Sequence, residues 1–448
     1  MNTATASGAE GARVLVVAPD DRLAAELCEG LDRLGWRTVT VRGPQGALAG
    51  PVDRLDAVII DGSGGADPAL LGLPDRLRTL AFPRRLPVIA LGRPEPALAS
   101  LGCDLTLSPP VHPVQAALRL EVLVRAAAAE DEAELRAATF AAQGRPLPPL
   151  SPDPAPLQIL AVGEPAPKFL ALRHALAAAG AEVVGAFTPF TAFDYLHERP
   201  FDAVVLWAGE THAEALSIAG GMKRNTKLFH IPTVLHLRTG AQVARSEAFH
   251  RGLSDIAAAD TPPEETAQRI LTLAQGHRRQ GAIRARLEGA RGSGLMDAAT
   301  GLFTRDLFAA HLLRLSGAMR ERKRPLAVAV LRTALGPHLA HVRRGGWIDR
   351  AAPQVGSMIG RLVRSEDTAA RLGADVYALA MPGATAHAAR SAAERIAAVI
   401  ACTAFEAGEG DAPFTLDFDI GVSAVEPNEP PAAALERAAA RALVRRAG

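Results

Sequence analysis

An arginine and an aspartate three positions apart, Arg364 and Asp367, are the pair of residues in this chain best suited to bind a ligand. A planar guanidinium can donate two hydrogen bonds to the O6 and N7 acceptors of guanine, and a carboxylate can accept from the N–H donors of the same base. A separation of three places both side chains on one side of a turn. The spacing favours a guanine-nucleotide site, although such a pair also arises as an exposed ion pair of slight energetic value.

A second arginine, Arg371, and the segment Gly373–Tyr377 (GADVY) follow this pair at short range. The run from Arg364 to Tyr377 resembles the centre of GGDEF domains, in which an R-x-x-D motif precedes a Gly-Gly-Asp/Glu-Glu-Phe hairpin. The resemblance begins at Met296 and reaches the end of the chain. It implies an α+β GGDEF domain that binds cyclic di-GMP through Arg364, Asp367 and Arg371.

The positions at which GGDEF enzymes carry out their chemistry differ from the family pattern. A diguanylate cyclase uses acidic groups to hold a divalent metal that bridges the triphosphate oxygens. Arg332 and Ala334 stand where the family has two acids, Ala340 stands at its guanine-reading asparagine, and Ala374 and Val376 interrupt the hairpin motif. The sequence therefore predicts that the chain is not an enzyme and that magnesium is not its cofactor.

The composition excludes several other classes. Lys and Arg number 49 against 48 Asp and Glu, so no basic field is available to hold nucleic acid. The three cysteines are far apart in sequence and indicate a reducing compartment without disulfides. No apolar run approaches the length of a membrane span, and the first residues do not read as a secretory signal. We expect a cytoplasmic protein.

Two α/β repeats precede the GGDEF-like region, with an offset of about 145 residues between them. Short apolar segments recur in the same order, separated by alanine- and leucine-rich helical stretches, which predicts two doubly wound, flavodoxin-like α/β domains. Both repeats resemble receiver domains of response regulators. The segments that recur are 13–17 with 158–162, 55–60 with 201–206, and 86–91 with 231–236. The predicted domains are residues 1–143 and 157–280, a proline-rich linker 144–156, and a GGDEF domain 281–448.

The receiver resemblance makes Asp61 a phosphoacceptor candidate, because it ends the third strand of the first repeat. The acidic pair of the family is replaced by Ala18 and Pro19, and Ser108 stands at its lysine position, so a capping aspartate is the competing interpretation. In the second repeat Trp207 stands at the phosphoacceptor position. That repeat is expected to serve in dimerisation or docking.

The complete layout, receiver–receiver–GGDEF, resembles a branch of the GGDEF family that includes non-catalytic members. The resemblance implies a cyclic di-GMP effector and a homodimer. It also implies an adaptor at a cell pole that docks partner proteins and delivers a cell-cycle regulator to a protease. Three alternatives remain open from the residues: a weakly active cyclase that uses Asp375, a response regulator driven by phosphorylation, and a scaffold without a ligand.

Overall fold

The computed structural model describes residues 13–19, 21–50, 52–64, 68–150, 154–207, 212–225, 227–240, 243–289, 294–334, 344–406 and 412–444. The chain forms two compact units. An α/β unit comprises Ala9–Ala127 and Ser151–Ala282, and a C-terminal unit comprises Ala128–Leu150 and Ile283–Gly448.

The first sheet of the α/β unit has five parallel strands in the order β2-β1-β3-β4-β5. Its strands are β1 (Arg13–Val17), β2 (Arg37–Val41), β3 (Ala57–Asp61), β4 (Val88–Leu91) and β5 (Leu105–Leu107). Its helices are α1 (Asp21–Arg33), α2 (Gly43–Ala49), α3 (Leu73–Ala81), α4 (Pro96–Ala99) and α5 (Pro113–Ala142). Every residue of β3 and β4 is buried, as expected for parallel strands covered by helices on both faces.

The second sheet repeats this topology, with parallel strands in the order β7-β6-β8-β9-β10. Its strands are β6 (Gln158–Val162), β7 (Glu182–Ala186), β8 (Ala203–Trp207), β9 (Thr233–His236) and β10 (Asp255–Ala257). Its helices are α6 (Pro167–Ala178), α7 (Pro189–Glu198), α8 (Ala213–Arg224), α9 (Arg245–His250) and α10 (Pro263–Gly289). Both sheets therefore have the 2-1-3-4-5 strand order of flavodoxin-like folds.

Polar contacts around Asp255 join the two sheets within the α/β unit. The carboxylate of Asp255 accepts a hydrogen bond of 2.8 Å from Gln115 of α5 and one of 2.7 Å from Arg269 of α10. All three side chains are buried. The carboxylate of Asp255 thus compensates the charge of Arg269, as a buried cation requires.

The C-terminal unit contains an antiparallel four-stranded sheet in the order β12-β13-β11-β14. Its strands are β11 (Leu326–Thr333), β12 (Thr368–Gly373), β13 (Val376–Pro382) and β14 (Phe418–Ala424). Its helices are α11 (Arg305–Glu321), α12 (Trp347–Leu362), α13 (Ala386–Ala401) and α14 (Pro431–Val444).

Alternating residues of β11 place helices on both faces of this sheet. Ala327, Ala329 and Leu331 belong to the core that contains α12 and α13. Val328 and Val330 belong to the core that contains α11 and α14. The period of two follows from the pleat of the strand and explains why β11 is a continuous apolar run.

A segment of α5 belongs to the C-terminal unit. We call residues Ala128–Ala142 the α5 arm. Phe140 of the arm is fully buried and meets Phe303 edge-on, with ring centroids 5.8 Å apart. The α5 arm therefore lies in the C-terminal unit, whereas the predicted boundaries place residues 128–143 in the first repeat.

The predicted order of strands and helices is confirmed in both repeats of the α/β unit, to within two residues at the strand ends. Gly35 and Gly180 follow α1 and α6 with φ values of 92° and 83°. This left-handed conformation suits glycine and explains why each helix ends there.

Candidate functional site

The residues Arg364–Asp367 form a closed turn between α12 and β12. The amide of Asp367 donates to the carbonyl oxygen of Arg364 at 3.1 Å, and the amide of Arg364 donates to Oδ2 of Asp367 at 3.2 Å. A short aspartate side chain commonly satisfies a nearby backbone donor in this way. The structure thus brings the two residues together through the backbone of one and the carboxylate of the other.

The two side chains of this turn differ in exposure and charge state. Asp367 is only 9% exposed, and burial, helped by the neighbouring charge of Glu366, raises its pKa to about 7 against the pull of Arg364. Arg364 is half-buried, and its guanidinium has no hydrogen bond or ion pair with any described residue. Arg364 is therefore the more available of the two groups for an incoming acceptor.

Arg371, the third predicted ligand residue, has partners of its own. Its guanidinium lies 3.1 Å from Oδ1 of Asp349 and 3.7 Å from Oδ1 of Asp297, and it donates to the carbonyl of Gly373 at 3.2 Å. It lines an open surface pocket together with Asp297, Thr304 and Arg305. These ion pairs fix the start of the β12–β13 hairpin, and a role of Arg371 toward cyclic di-GMP stays a prediction.

The β12–β13 hairpin forms with its unusual sequence, and the register of its pairing shifts between Arg371 and Gly373. Gly373 pairs with Val376, so that Ala374 and Asp375 form a two-residue connection. No residue of this connection adopts a left-handed backbone. The backbone of Ala374 therefore has no steric need for glycine.

The strand ends beside this hairpin carry side chains of both charges. Arg332 is paired in register with Val376 and with Asp419 of β14. Asp375 is buried, and its carbonyl accepts from the amide of Thr333 at 2.9 Å. Ala340, the residue at the guanine-reading position, lies outside the described residues.

Oxygen ligands for a divalent metal are sparse among the described residues of this region. Magnesium prefers several oxygen ligands in near-octahedral geometry, and in the described ranges no three or more His, Cys, Asp or Glu side chains are grouped for a metal. Arg332 places a cation at the strand position to which the family resemblance assigns a carboxylate. The absence of magnesium as a cofactor stays a prediction.

Asp61 lies at the end of β3 and is buried. Its Oδ1 accepts 2.9 Å and 2.6 Å hydrogen bonds from the amide and hydroxyl of Ser63. This is the capping arrangement that competes with phosphorylation, and the phosphoacceptor role of Asp61 stays a prediction.

At the corresponding edge of the second sheet, Trp207 stacks on His236 with ring centroids 4.1 Å apart and an interplanar angle of 13°. Phe169 meets Trp207 edge-on at 5.9 Å. Burial lowers the pKa of His236 to about 4, so the imidazole is neutral near pH 7. Aromatic packing fills the place where the first sheet has its aspartate.

A buried polar network supports the Arg364–Asp367 turn, and the sequence alone did not reveal it. Oε1 of Glu132 accepts from Arg136 at 2.6 Å, from His311 at 2.9 Å and from the hydroxyl of Thr368 at 2.8 Å. The second nitrogen of His311 lies 3.0 Å from the hydroxyl of Thr139. Glu132 and Arg136 are spaced i, i+4, which predicts an ion pair on α5 but not its burial.

The charges of this network compensate each other. Burial alone would raise the pKa of Glu132, but His311, Arg136 and Thr368 lower it to about 2. The carboxylate is therefore ionised and only accepts, which places the hydrogen on Nε2 of His311. The side chains of Glu132 and Arg136 are 1% and 9% exposed, so each buried charge needs the opposite charge of the other to offset the cost of its burial.

Residues 294–446 match the family described as "Diguanylate cyclase, GGDEF domain". The chain thus contains a GGDEF domain, in the region that holds the Arg364–Asp367 turn and the hairpin. No match was found among curated proteins. None of the described helices combines the length and apolar character needed to cross a membrane.

Several solved GGDEF structures are similar to this region. The FimX GGDEF domain from Pseudomonas aeruginosa is 22% identical, and the similarity covers 34% of this chain and 95% of that one, with a TM-score of 0.32. The DgcB GGDEF domain from Caulobacter crescentus in complex with c-di-GMP is 22% identical, covering 35% and 89%, with a TM-score of 0.32. The diguanylate cyclase SiaD in complex with its activator SiaC from Pseudomonas aeruginosa is 19% identical, covering 46% and 74%, with a TM-score of 0.33.

The prediction that the chain is not an enzyme is contradicted by this finding, because residues 294–446 match the family described as diguanylate cyclase. The prediction weighed single residues against the family motif. The four-stranded sheet and the β12–β13 hairpin form with these residues present.

Proposed function

We propose that this protein is a cyclic di-GMP effector that binds the nucleotide at the Arg364–Asp367 turn of its GGDEF domain. The observation that carries the proposal is the turn itself. The carboxylate of Asp367 accepts a hydrogen bond from the amide of Arg364. The half-buried guanidinium of Arg364 has no hydrogen bond or ion pair with any described residue. A planar, permanently charged donor of this kind suits the acceptor edge of guanine or a phosphate oxygen.

Titration calorimetry with cyclic di-GMP on the full chain tests the proposal. Arg364→Ala should weaken binding by about 10- to 100-fold, since one charge-assisted contact contributes about 1–3 kcal/mol. Arg361→Ala is the matched control, because Arg361 is an exposed arginine in the last turn of α12, the helix that precedes the Arg364–Asp367 turn. Absence of binding in the wild type, or equal losses in both variants, would overturn the proposal.

The α/β unit serves, in this proposal, as a pair of receiver-like docking domains for protein partners. Their shared 2-1-3-4-5 strand order supports this assignment, since receiver domains have it. The further roles, a homodimer at a cell pole that delivers substrates to a protease, follow from the resemblance of the domain layout. Imaging of a fluorescent fusion and the half-lives of co-purifying proteins test them, with Arg364→Ala as the variant that should lose nucleotide dependence.

A second candidate function is weak diguanylate cyclase activity. The family match and the position of Asp375 in the hairpin favour it. Incubation of the full chain with GTP and either magnesium or manganese should then yield cyclic di-GMP. Asp375→Asn should abolish that yield, whereas product formation that survives this substitution would point to a contaminating enzyme.

A further inference from the structure

The α5 arm contacts the backbone of the R-x-x-D turn through one side chain. The guanidinium NH2 group of Arg136 donates to the carbonyl oxygen of Asp367 at 2.7 Å and to the hydroxyl of Thr368 at 3.0 Å, with the carbonyl of Ser365 at 3.5 Å. Two of the four peptide groups of the turn are therefore held from a helix that lies more than 220 residues earlier in the chain.

Arg136 is itself held in place on three sides. Glu132 accepts from its Nε at 2.6 Å, and its guanidinium carbon lies 5.6 Å from the centre of the Phe303 ring. Phe303 is in turn bridged to β12 at Ala370 and packed against Phe140 of the arm. A side chain that is 9% exposed and fixed by a carboxylate, a ring and carbonyl groups has few alternative rotamers.

The charge of Glu132 also reaches the ligand turn directly. It contributes to the raised pKa of Asp367, after burial and Glu366. Thr368, the residue after the motif, donates to Glu132 at 2.8 Å and receives a bond from Arg136. Any change in the shape of Arg364–Asp367 must therefore be accommodated by the arm.

We propose that Arg136 is a positioning residue for cyclic di-GMP binding, and that docking of the α5 arm and occupation of the Arg364–Asp367 turn stabilise each other. The inference rests on the proposed function for its ligand. Arg136 contacts peptide carbonyls and not the nucleotide, so it acts by holding the turn in shape. By linkage, the ligand must then strengthen arm docking by the factor by which docking strengthens ligand affinity.

Hydrogen exchange on the full chain without nucleotide tests the structural half. Arg136→Gln should accelerate exchange of the amides in 364–368 and in 128–142, because both sides of the contact lose their anchor. Arg145→Gln, an exposed arginine just beyond the arm, is the matched control and should leave both segments unchanged. Unchanged exchange of 364–368 in Arg136→Gln would overturn the inference, whether or not any nucleotide binds.

Calorimetry with cyclic di-GMP tests the coupling. Arg136→Gln should weaken binding by about 10- to 100-fold, and Arg136→Lys should restore part of the loss because it keeps one charged donor. In the wild type, the nucleotide should slow exchange in 128–142. Wild-type affinity in Arg136→Gln would overturn the coupling and leave the proposed function standing, whereas a wild type that ignores the nucleotide would refute the proposed function.

A second variant guards against simple unfolding. Glu132→Gln keeps the shape of the side chain and removes the charge that holds Arg136, and it should reproduce both effects at smaller amplitude. Exchange of β11 and β13 should stay slow in every variant. If Glu132→Gln leaves the exchange of 364–368 and the affinity at their wild-type values, the inference is wrong.

Discussion

The hydroxyl of Thr368 donates a 2.8 Å hydrogen bond to the carboxylate of Glu132, 236 positions earlier in the chain. Both side chains are buried, at 1% exposure each. The contact links the residue after the R-x-x-D motif to a helix that begins in the first α/β repeat. Three predictions follow from this network and from the aromatic stack of the second sheet.

Removal of Glu132 should be strongly destabilising. Glu132→Ala leaves the buried guanidinium of Arg136 without its counter-charge, and the loss of one partner of a buried pair costs about 3–5 kcal/mol. Urea denaturation of the full chain, followed by circular dichroism, should show the transition of the C-terminal unit shifted to lower urea. Glu321→Ala, at an exposed glutamate of the same unit, should stay within about 0.5 kcal/mol of the wild type. Equal stabilities of the two variants would contradict the network.

Asp367 should make the stability of the C-terminal unit depend on pH. Its folded-state pKa of about 7 exceeds the ordinary value of 3.8, so the folded protein binds more protons between these values. The contribution to the free energy of unfolding is fully present below pH 3.8 and is lost as the pH rises through about 7.

The matched variant is Asp367→Asn, which cannot ionise. Denaturation at several pH values from 5 to 8 should show a decline in the wild type that is absent in the variant. Glu132 does not confuse the comparison, because its pKa of about 2 and its ordinary value of 4.5 lie below this window. Identical slopes in both proteins would show that Asp367 is ionised throughout.

Much of the architecture was predictable from the sequence, because it depends on local patterns. Buried parallel strands read as short apolar runs, and the glycines after α1 and α6 supply the backbone that ends a helix. The R-x-x-D turn was also visible, because its members are three positions apart.

The support of that turn was not predictable in the same way. Glu132 and His311 are 179 positions apart and meet only after two helices pack. Their sequence surroundings resemble those of ordinary helix residues: a glutamate four before an arginine, and a histidine among leucines. The orientation of Asp367 toward its own backbone was likewise not evident, since spacing places a side chain on a turn without fixing what it contacts.

The pairing of Trp207 with His236 should be measurable in solution. His236 should titrate with a pKa of about 4, because burial disfavours its charged form. Trp207→Ala removes the ring that covers the imidazole at 4.1 Å, and the pKa should rise toward 6.5. NMR titration of the histidine carbon resonances, assigned with His236→Gln, gives the value. Phe190→Ala, at a 77% exposed ring of α7, should leave it unchanged, and a wild-type value near 6.5 would refute the stack.

The two-residue link at Ala374 and Asp375 bears on attempts to rebuild the consensus motif. Since neither position adopts a left-handed backbone, Ala374→Gly would restore the glycine of the family motif at a position where the backbone does not require it. It would mainly increase the conformational entropy of the unfolded chain, which lowers the free energy of unfolding by about 0.4–1 kcal/mol. Arg332, which is in register with Val376 beside this link, is therefore a better position than Ala374 at which to test how the family motif affects GTP turnover.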